Sequence, residues 1–104
     1  MYNYVMLMGT VKDVQEQFIV NQKAVHITLA CQRPFRNPTG ETVTDEFDIV
    51  VYEYLADIVQ ENLKIGSKIS VKGRIYPSNY KTLVKIVGER IFFMDTDKII
   101  EEDE

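Results

Sequence analysis

The sequence predicts an all-β domain with one short helix, because a strand-like periodicity covers most of the chain. Apolar and polar residues alternate through residues 25–31 and 69–75, the period of two that places every second side chain on one face of a strand. Residues 54–63 depart from this pattern, with Leu55, Ile58 and Val59 at helical spacing. A basic residue and then a glycine, which commonly end helices, follow this segment.

Five strands can be placed around this helix. The first covers residues 2–11, with Gly9 predicted to form a bulge or bend, and a hairpin through Asn21 and Gln22 leads to the strand that contains residues 25–31. The remaining strands cover residues 44–52, 69–75 and 82–94. A five-stranded barrel with one helix between its third and fourth strands is the OB-fold architecture. A β-sandwich also contains period-two strands, but the position of the single helix and the short chain favour the OB-fold barrel.

Charge divides the chain into two parts. The 104 residues have a net charge of −4 and are enough for one domain. Residues 95–104 contain six acidic residues and one lysine, whereas residues 1–94 contain 11 basic and 10 acidic residues and are nearly neutral. We therefore expect an OB-fold domain over residues 1–94 and a short acidic C-terminal tail over residues 95–104. This charge permits a nucleic-acid partner without requiring one.

Composition also argues against several other classes of protein. No apolar run approaches the roughly 18–20 residues that span a bilayer, and the first ten residues lack the basic segment and cleavage site of a signal peptide. Cys31 is the only cysteine, so it can form no internal disulfide, and its surroundings suggest no metal site. We therefore expect a protein of the reducing cytoplasm with no membrane partner.

The residues that catalysis requires are scarce. His26 is the only histidine and lies within a strand, and Cys31 has no neighbouring base. Asp45 and Asp48 lie close in sequence, but their positions in a strand place them on opposite faces. The chain also lacks a glycine-rich phosphate loop. We therefore expect a protein that is not an enzyme and that needs neither a cofactor nor a metal.

Aromatic and basic residues indicate a binding function instead. Phe35 stands at the end of the second strand, beyond its last inward residue, between Arg33 and Arg36. A ring that stacks on bases beside cations that pair with phosphates is a combination that binds single strands. Tyr52 is out of phase with the inward residues of its strand, although ordinary surface tyrosines remain the alternative. The candidate DNA contacts are Arg33, Phe35, Arg36, Tyr52, Lys72, Arg74, Tyr76, Tyr80 and Lys81.

Six segments, in order and with compatible spacing, resemble the bacterial single-stranded DNA-binding protein (SSB) family. No one of these segments is specific by itself, and together they extend over residues 1–94. They read NYVMLMG from Asn3, HITLACQRPF from His26, GE from Gly40, TD from Thr44, VVY followed by LAD from Val50, and GSKISVKGRI from Gly66.

The resemblance implies an OB barrel that binds single-stranded DNA without strong sequence preference. It also implies a homo-oligomer, usually a tetramer, with a dimer as the alternative. The family's base-stacking aromatics correspond to Phe35, which closes the Leu-Ala strand, and to Tyr52, which precedes the helix. The third stacking aromatic corresponds to Tyr80, or to Tyr76 because this hairpin is shorter than usual in the family.

Three features depart from the family pattern. Glu46 occupies the position of a usual aromatic, and Phe47 follows one residue late, either inside the barrel or turned outward by a bulge at Glu46. The shorter hairpin trims a basic arm that normally embraces DNA. The acidic end lacks the long linker and the final Pro-Phe through which the family recruits partner proteins. The sequence therefore gives no basis for predicting such recruitment.

We therefore predict sequence-independent binding of single-stranded DNA, in DNA replication, recombination or repair. One alternative is a primosomal or mobile-element OB-fold protein with a narrower role. A second alternative is an OB module that binds protein rather than DNA, which follows if Glu46 and the trimmed arm abolish DNA binding.

Overall fold

The computed structural model describes residues 3–19, 21–77, 84–94 and 98–101. These residues contain six strands and one helix. In chain order the elements are β1 (Val5–Ile19), β2 (Gln22–Arg36), β3 (Thr42–Tyr52), α1 (Glu53–Asn62), β4 (Lys68–Pro77), β5 (Val84–Phe93) and β6 (Lys98–Glu101). The predicted order of three strands, a helix and two strands is confirmed, and β6 is an addition to it.

The strands close into a barrel. Neighbouring strands follow the order β3-β2-β1-β4-β5-β6, and an additional pairing joins β3 to β5. This closing pairing is parallel and short, with Ile49 opposite Ile86 and Val50 opposite Val87. The predicted all-β, five-stranded OB-fold barrel with one short helix is therefore confirmed.

The long strand β1 belongs to both halves of the barrel. Its residues 5–10 pair with β4, and its residues 10–19 pair with β2. A register shift between Val11 and Asp13 marks a bulge at this transition.

Gly9 does not form the bulge or bend that the sequence predicted, because it pairs in regular register with Ile69. Its role is to allow the backbone of β2 to pass closely. A Cβ atom at this position would lie 2.2 Å from the carbonyl oxygen of Ala30, a distance that no side chain can accept. Glycine is therefore required here by contact between strands and not by a local kink.

The alternating apolar residues fill the interior of the barrel, and α1 covers one of its ends. The largest fully buried side chains of the strands include Ile27, Leu29, Ile49, Ile69 and Ile91. The helix contributes three buried residues at helical spacing, namely Leu55, Ala56 and Val59. Burial of this one apolar stripe on the core accounts for the change from a period of two to a helical period.

Two polar contacts join the outer side of α1 to the β1–β2 hairpin. The ammonium of Lys23 lies 2.6 Å from a carboxylate oxygen of Asp57. The side-chain amide of Gln60 donates a hydrogen bond of 2.6 Å to Glu16. These contacts join the helix to the first two strands.

The acidic C-terminal segment contains a strand. Residues 98–101 form β6, which runs antiparallel to β5 with Lys98 opposite Phe93 and Glu101 opposite Arg90. Since β3 pairs with β5 only at Ile86 and Val87, β6 provides a partner for a further part of the same strand. The segment expected to be a tail therefore takes part in the sheet over these four residues.

Candidate nucleic-acid interface

Phe35 is an exposed aromatic residue at the far end of β2. Its exposed fraction is 62%, and it lies six residues beyond Leu29, the last fully buried side chain of that strand. Exposure of so large an apolar ring has no benefit for folding. The ring is therefore exposed outside the core, as the sequence predicted, and its contact with a ligand stays a prediction.

The two arginines beside Phe35 already have partners within the chain. Arg33 donates two hydrogen bonds to the carboxylate of Asp45, one of 2.8 Å from Nε and one of 2.9 Å from Nη2. Hydrogen bonding from this guanidinium lowers the pKa of Asp45, because it stabilises the ionised carboxylate. Arg36 donates a hydrogen bond of 3.0 Å to the backbone oxygen of Gly40.

The turn between β2 and β3 is organised around Asn37. Its side-chain oxygen accepts hydrogen bonds from the backbone of Thr39, at 3.2 Å, and of Glu41, at 2.9 Å. Gly40 has a φ of 85°, the left-handed conformation that glycine adopts without strain. These contacts give the hairpin end a defined shape, so Phe35 and Arg36 are presented on an ordered support.

Phe47 follows the inward register and not the bulged one. The pairing of β2 with β3 is continuous through this region, with Leu29 opposite Phe47 and Ala30 opposite Glu46. Phe47 is half-buried on the same face as Ile49, and Glu46 is exposed. The alternative with a bulge at Glu46 is therefore wrong, and the outward position is occupied by the acidic side chain of Glu46.

Tyr52 lies on the outer face of the barrel, half-buried against a small apolar cluster of Ala24, Val50 and Val87. Lys85 donates a hydrogen bond of 3.0 Å from its ammonium to the Tyr52 hydroxyl, and the ammonium is 5.4 Å from the ring centre. Because the hydroxyl lies between the two, the cation sits beyond the phenol and not over its face.

A cleft brings Tyr52 and Tyr76 together. Its volume is about 340 Å³, and it is lined by Gln22, Tyr52, Tyr76, Lys85, Val87 and Glu89. Tyr76 is 40% exposed. Glu89, one of the lining residues, forms an ion pair with Arg74, in which the Nε atom of Arg74 lies 2.9 Å from a carboxylate oxygen. We call this region the tyrosine cleft.

Lys85 was missed in the sequence analysis. The signal was present, because Lys85 alternates with the half-buried Ile86 on β5 and so points outward. Its approach to Tyr52, however, depends on the closing pairing of β3 with β5, which periodicity does not reveal.

Lys72 belongs to a different part of the surface. Its ammonium is 5.7 Å from the ring centre of Tyr4, and it lines a depression of about 290 Å³ together with Met6, Ser70, Arg90 and Phe92. Tyr4, Met6 and Met8 are 64%, 57% and 58% exposed. We call the row of these three residues the β1 apolar stripe.

The predicted contacts thus fall into three groups. Arg33, Phe35 and Arg36 lie at the β2–β3 hairpin end, Tyr52, Arg74 and Tyr76 lie at the tyrosine cleft, and Lys72 lies beside the β1 apolar stripe. Tyr80 and Lys81 lie outside the described residues.

A further large depression is unsuited to a polyanion. It has a volume of about 500 Å³ on the outer face of β1, β2 and β3, and its lining includes Asp13, Glu16 and Asp48. His26 lies there as a half-buried residue, and its Nδ1 atom is 3.2 Å from Asp48. The expectation that His26 is a sheet-face residue is confirmed.

Little in the described part of the chain points to chemistry. Among those residues, no group of three or more histidine, cysteine or acidic side chains could hold a metal ion. Burial raises the pKa of the Cys31 thiol, which makes it a poorer nucleophile at neutral pH. The helix α1 that is described there is not long and apolar enough to cross a membrane.

Comparison with known proteins gives consistent matches. The model of the single-strand binding protein family matches residues 2–88. The chain is 30% identical over 104 residues to single-stranded DNA-binding protein B of Bacillus subtilis, covering 91% of this chain and 92% of that relative. It is 34% identical over 105 residues to single-stranded DNA-binding protein 3 of Listeria innocua, covering 92% of this chain and 66% of that relative.

A solved structure supports the fold. The crystal structure of a deletion mutant of the single-stranded DNA-binding protein from Thermus aquaticus matches with a TM-score of 0.72. At 18% identity this likeness concerns the fold alone, and it covers 95% of this chain and 54% of that chain. The present chain therefore spans about half the length of this neighbour and just under two thirds of the Listeria relative.

Proposed function

This chain belongs to the single-strand binding protein family, and on that premise we propose that it binds single-stranded DNA without sequence preference. The observation that supports this most directly is the exposed ring of Phe35 between two arginines at the hairpin end. Stacking on such a ring tolerates every base, because each base has a π face. The arginines on either side would hold phosphates.

The tyrosine cleft is the second element of the proposed path. Tyr52 and Tyr76 line it together, and Lys85 sits at the hydroxyl end of Tyr52. One strand can stack a base on a tyrosine while its phosphate meets a cation at the edge of the ring. The proposed path therefore runs over the β2–β3 hairpin end and the tyrosine cleft, where Arg74 adds a further cation. We extend it to Tyr80 and Lys81 because they follow Tyr76 closely in the sequence.

Electrostatics favours this path over a path across the depression around His26. The depression around His26 is lined by three carboxylates, those of Asp13, Glu16 and Asp48. A phosphate backbone placed there would meet like charges at short range. The Glu46 carboxylate would likewise repel a phosphate, and by the resemblance Glu46 stands where the family usually has a stacking aromatic. We therefore leave the surface around Glu46 out of the proposed path.

We also propose that the chain assembles with copies of itself, as a tetramer or a dimer. The β1 apolar stripe exposes three large apolar side chains in a row. Among the described strands, residues 5–9 of β1 pair only with β4, which leaves one edge of that segment open. An apolar stripe beside an open strand edge is a surface that proteins normally cover. Lys72 would then contact DNA only from the rim of such an assembly.

The cellular role forms part of the same proposal. Sequence-independent binding would protect or organise single strands during DNA replication, recombination or repair, in the cytoplasm. Because the matching family is one of single-strand binding proteins, the proposal is of a protein that acts by binding and not as an enzyme.

Titration with a fluorescent oligothymidine tests the proposed function. We expect submicromolar binding at low salt that weakens steadily as salt is added, because phosphate contacts release counterions. A duplex of the same length is the control and should bind much more weakly, since its bases cannot stack on Phe35. Absence of oligothymidine binding at low salt would refute the proposal and favour an OB module that binds protein.

A further inference from the structure

We propose that the Asp45 carboxylate competes with DNA phosphate for Arg33, and that single-stranded DNA binds at the hairpin end by displacing it. This inference rests on the proposed DNA binding. It assigns to Asp45 the control of affinity at that site, through a contact that opposes binding.

The geometry of the Arg33–Asp45 pair supports this role. The two hydrogen bonds, of 2.8 and 2.9 Å, join both carboxylate oxygens to two nitrogens on one edge of the guanidinium. A phosphodiester presents two oxygens to arginine in the same fork-like way. Asp45 therefore occupies the edge of Arg33 that a phosphate would use.

The pair is also open to exchange. The side chains of Arg33 and Asp45 are 45% and 38% exposed, so water and ligands reach both partners. Exposed ion pairs contribute little free energy, typically about 0.2–1 kcal/mol. A DNA strand that is already stacked on Phe35, two residues further along β2, holds its phosphates near Arg33 at high local concentration.

A second arginine is held in the same way. Arg74, on β4, forms an ion pair with Glu89 on the neighbouring strand β5 at 2.9 Å. Two of the predicted phosphate contacts, in separate parts of the proposed path, are thus paired with a carboxylate of an adjacent strand. Lys85, by contrast, contacts the neutral hydroxyl of Tyr52.

A purely structural role is the main alternative. The β2–β3 pairing is irregular between Gln32 and Arg36, and an ion pair there could simply hold the two strands together. In that case removal of Asp45 would lower stability and would leave DNA affinity unchanged or reduced. If Asp45 competes with phosphate, its removal should instead increase the affinity for DNA.

The test is a set of oligothymidine titrations at low salt, with an oligonucleotide of about 15 nucleotides, the upper range for one OB domain. Asp45→Asn should bind about 1.4- to 5-fold more tightly than the parent chain, the range that an exposed ion pair's energy corresponds to. Arg33→Gln should weaken binding more in the Asp45→Asn background than in the parent. Asp48→Asn is the matched control, because it removes the same charge from the other face of β3, where the partner is His26.

Several outcomes would overturn the proposal. Unchanged or weaker binding by a folded Asp45→Asn variant would show that no competition exists. A gain that persists in the Arg33→Gln background, or that Asp48→Asn reproduces, would show general charge repulsion. Asp45→Ser is the second variant, and loss of folding in both by thermal melting would show a structural cross-link. If the parent chain fails to bind, the proposed function itself is refuted, and the inference falls with it.

Discussion

Replacing Phe35 and Phe47 by alanine, one at a time, should separate DNA binding from folding. Phe35 is 62% exposed at the end of β2, so Phe35→Ala removes little buried surface. We expect it to change the free energy of unfolding by less than about 0.5 kcal/mol. Loss of base stacking should cost about 1–3 kcal/mol of binding, which corresponds to a decrease in affinity of about 5- to 150-fold.

Phe47→Ala should have the opposite effect. A fully buried phenylalanine contributes roughly 3–5 kcal/mol, and Phe47 is half-buried opposite the fully buried Leu29. We therefore expect a loss of about 2 kcal/mol of folding stability, and a decrease in Tm of about 10 °C for a domain of this size. Because the Phe47 side chain is half-buried on the face of Ile49, affinity measured below the Tm should stay within about twofold of the parent chain.

Thermal melts followed by circular dichroism and oligothymidine titrations of the two variants provide the measurements. A folded Phe35→Ala variant that binds as tightly as the parent would refute the role of Phe35. A Phe47→Ala variant with parental stability and weakened binding would refute the inward placement of Phe47. If both variants stay folded and both bind normally, base stacking is wrong at both positions.

Three further predictions concern other parts of the chain. Gly9→Ala should destabilise the fold by about 1–3 kcal/mol in a thermal melt, because the new Cβ would lie 2.2 Å from the Ala30 oxygen; an unchanged Tm would contradict this close approach. Substitution of Met6 and Met8 by glutamate should reduce the sedimentation mass to one chain, whereas a parent chain that already sediments at 12.1 kDa would rule out self-association. Neutralising Glu102, Asp103 and Glu104 should tighten oligothymidine binding at low salt and not at high salt, because the effect is electrostatic, and equal affinities at low salt would show that these charges lie away from the DNA.

The order of the elements and the exposure of Phe35 could be predicted from the sequence. Alternation at a period of two is enforced by burial of one face of each strand, so Ile27 and Leu29 had to point inward. Phe35 lies past the end of that inward set, where a large ring has no core to enter. The helical spacing of Leu55 and Val59 likewise follows from a single buried stripe.

The tertiary structure decided which groups meet. The pairing of Arg33 with Asp45, of Arg74 with Glu89 and of Lys85 with Tyr52 joins residues from different strands. The parallel contact of β3 with β5 and the addition of β6 to the sheet likewise depend on strand order and register. The cations near the proposed site are visible in the sequence, but their ion pairs with carboxylates, at Arg33 and Arg74, appear only in the folded chain.

The physical reason is the range of the interactions involved. Strand periodicity and helical spacing reflect local geometry, in which each residue's orientation depends on its neighbours in the chain, so they can be read from one sequence. Contacts across a barrel depend on how separate segments align, and a shift of one residue reverses every side chain. Gly9 combines both cases, since its presence was visible in the sequence and its cause, the passage of the β2 backbone at Ala30, was visible only in the folded chain.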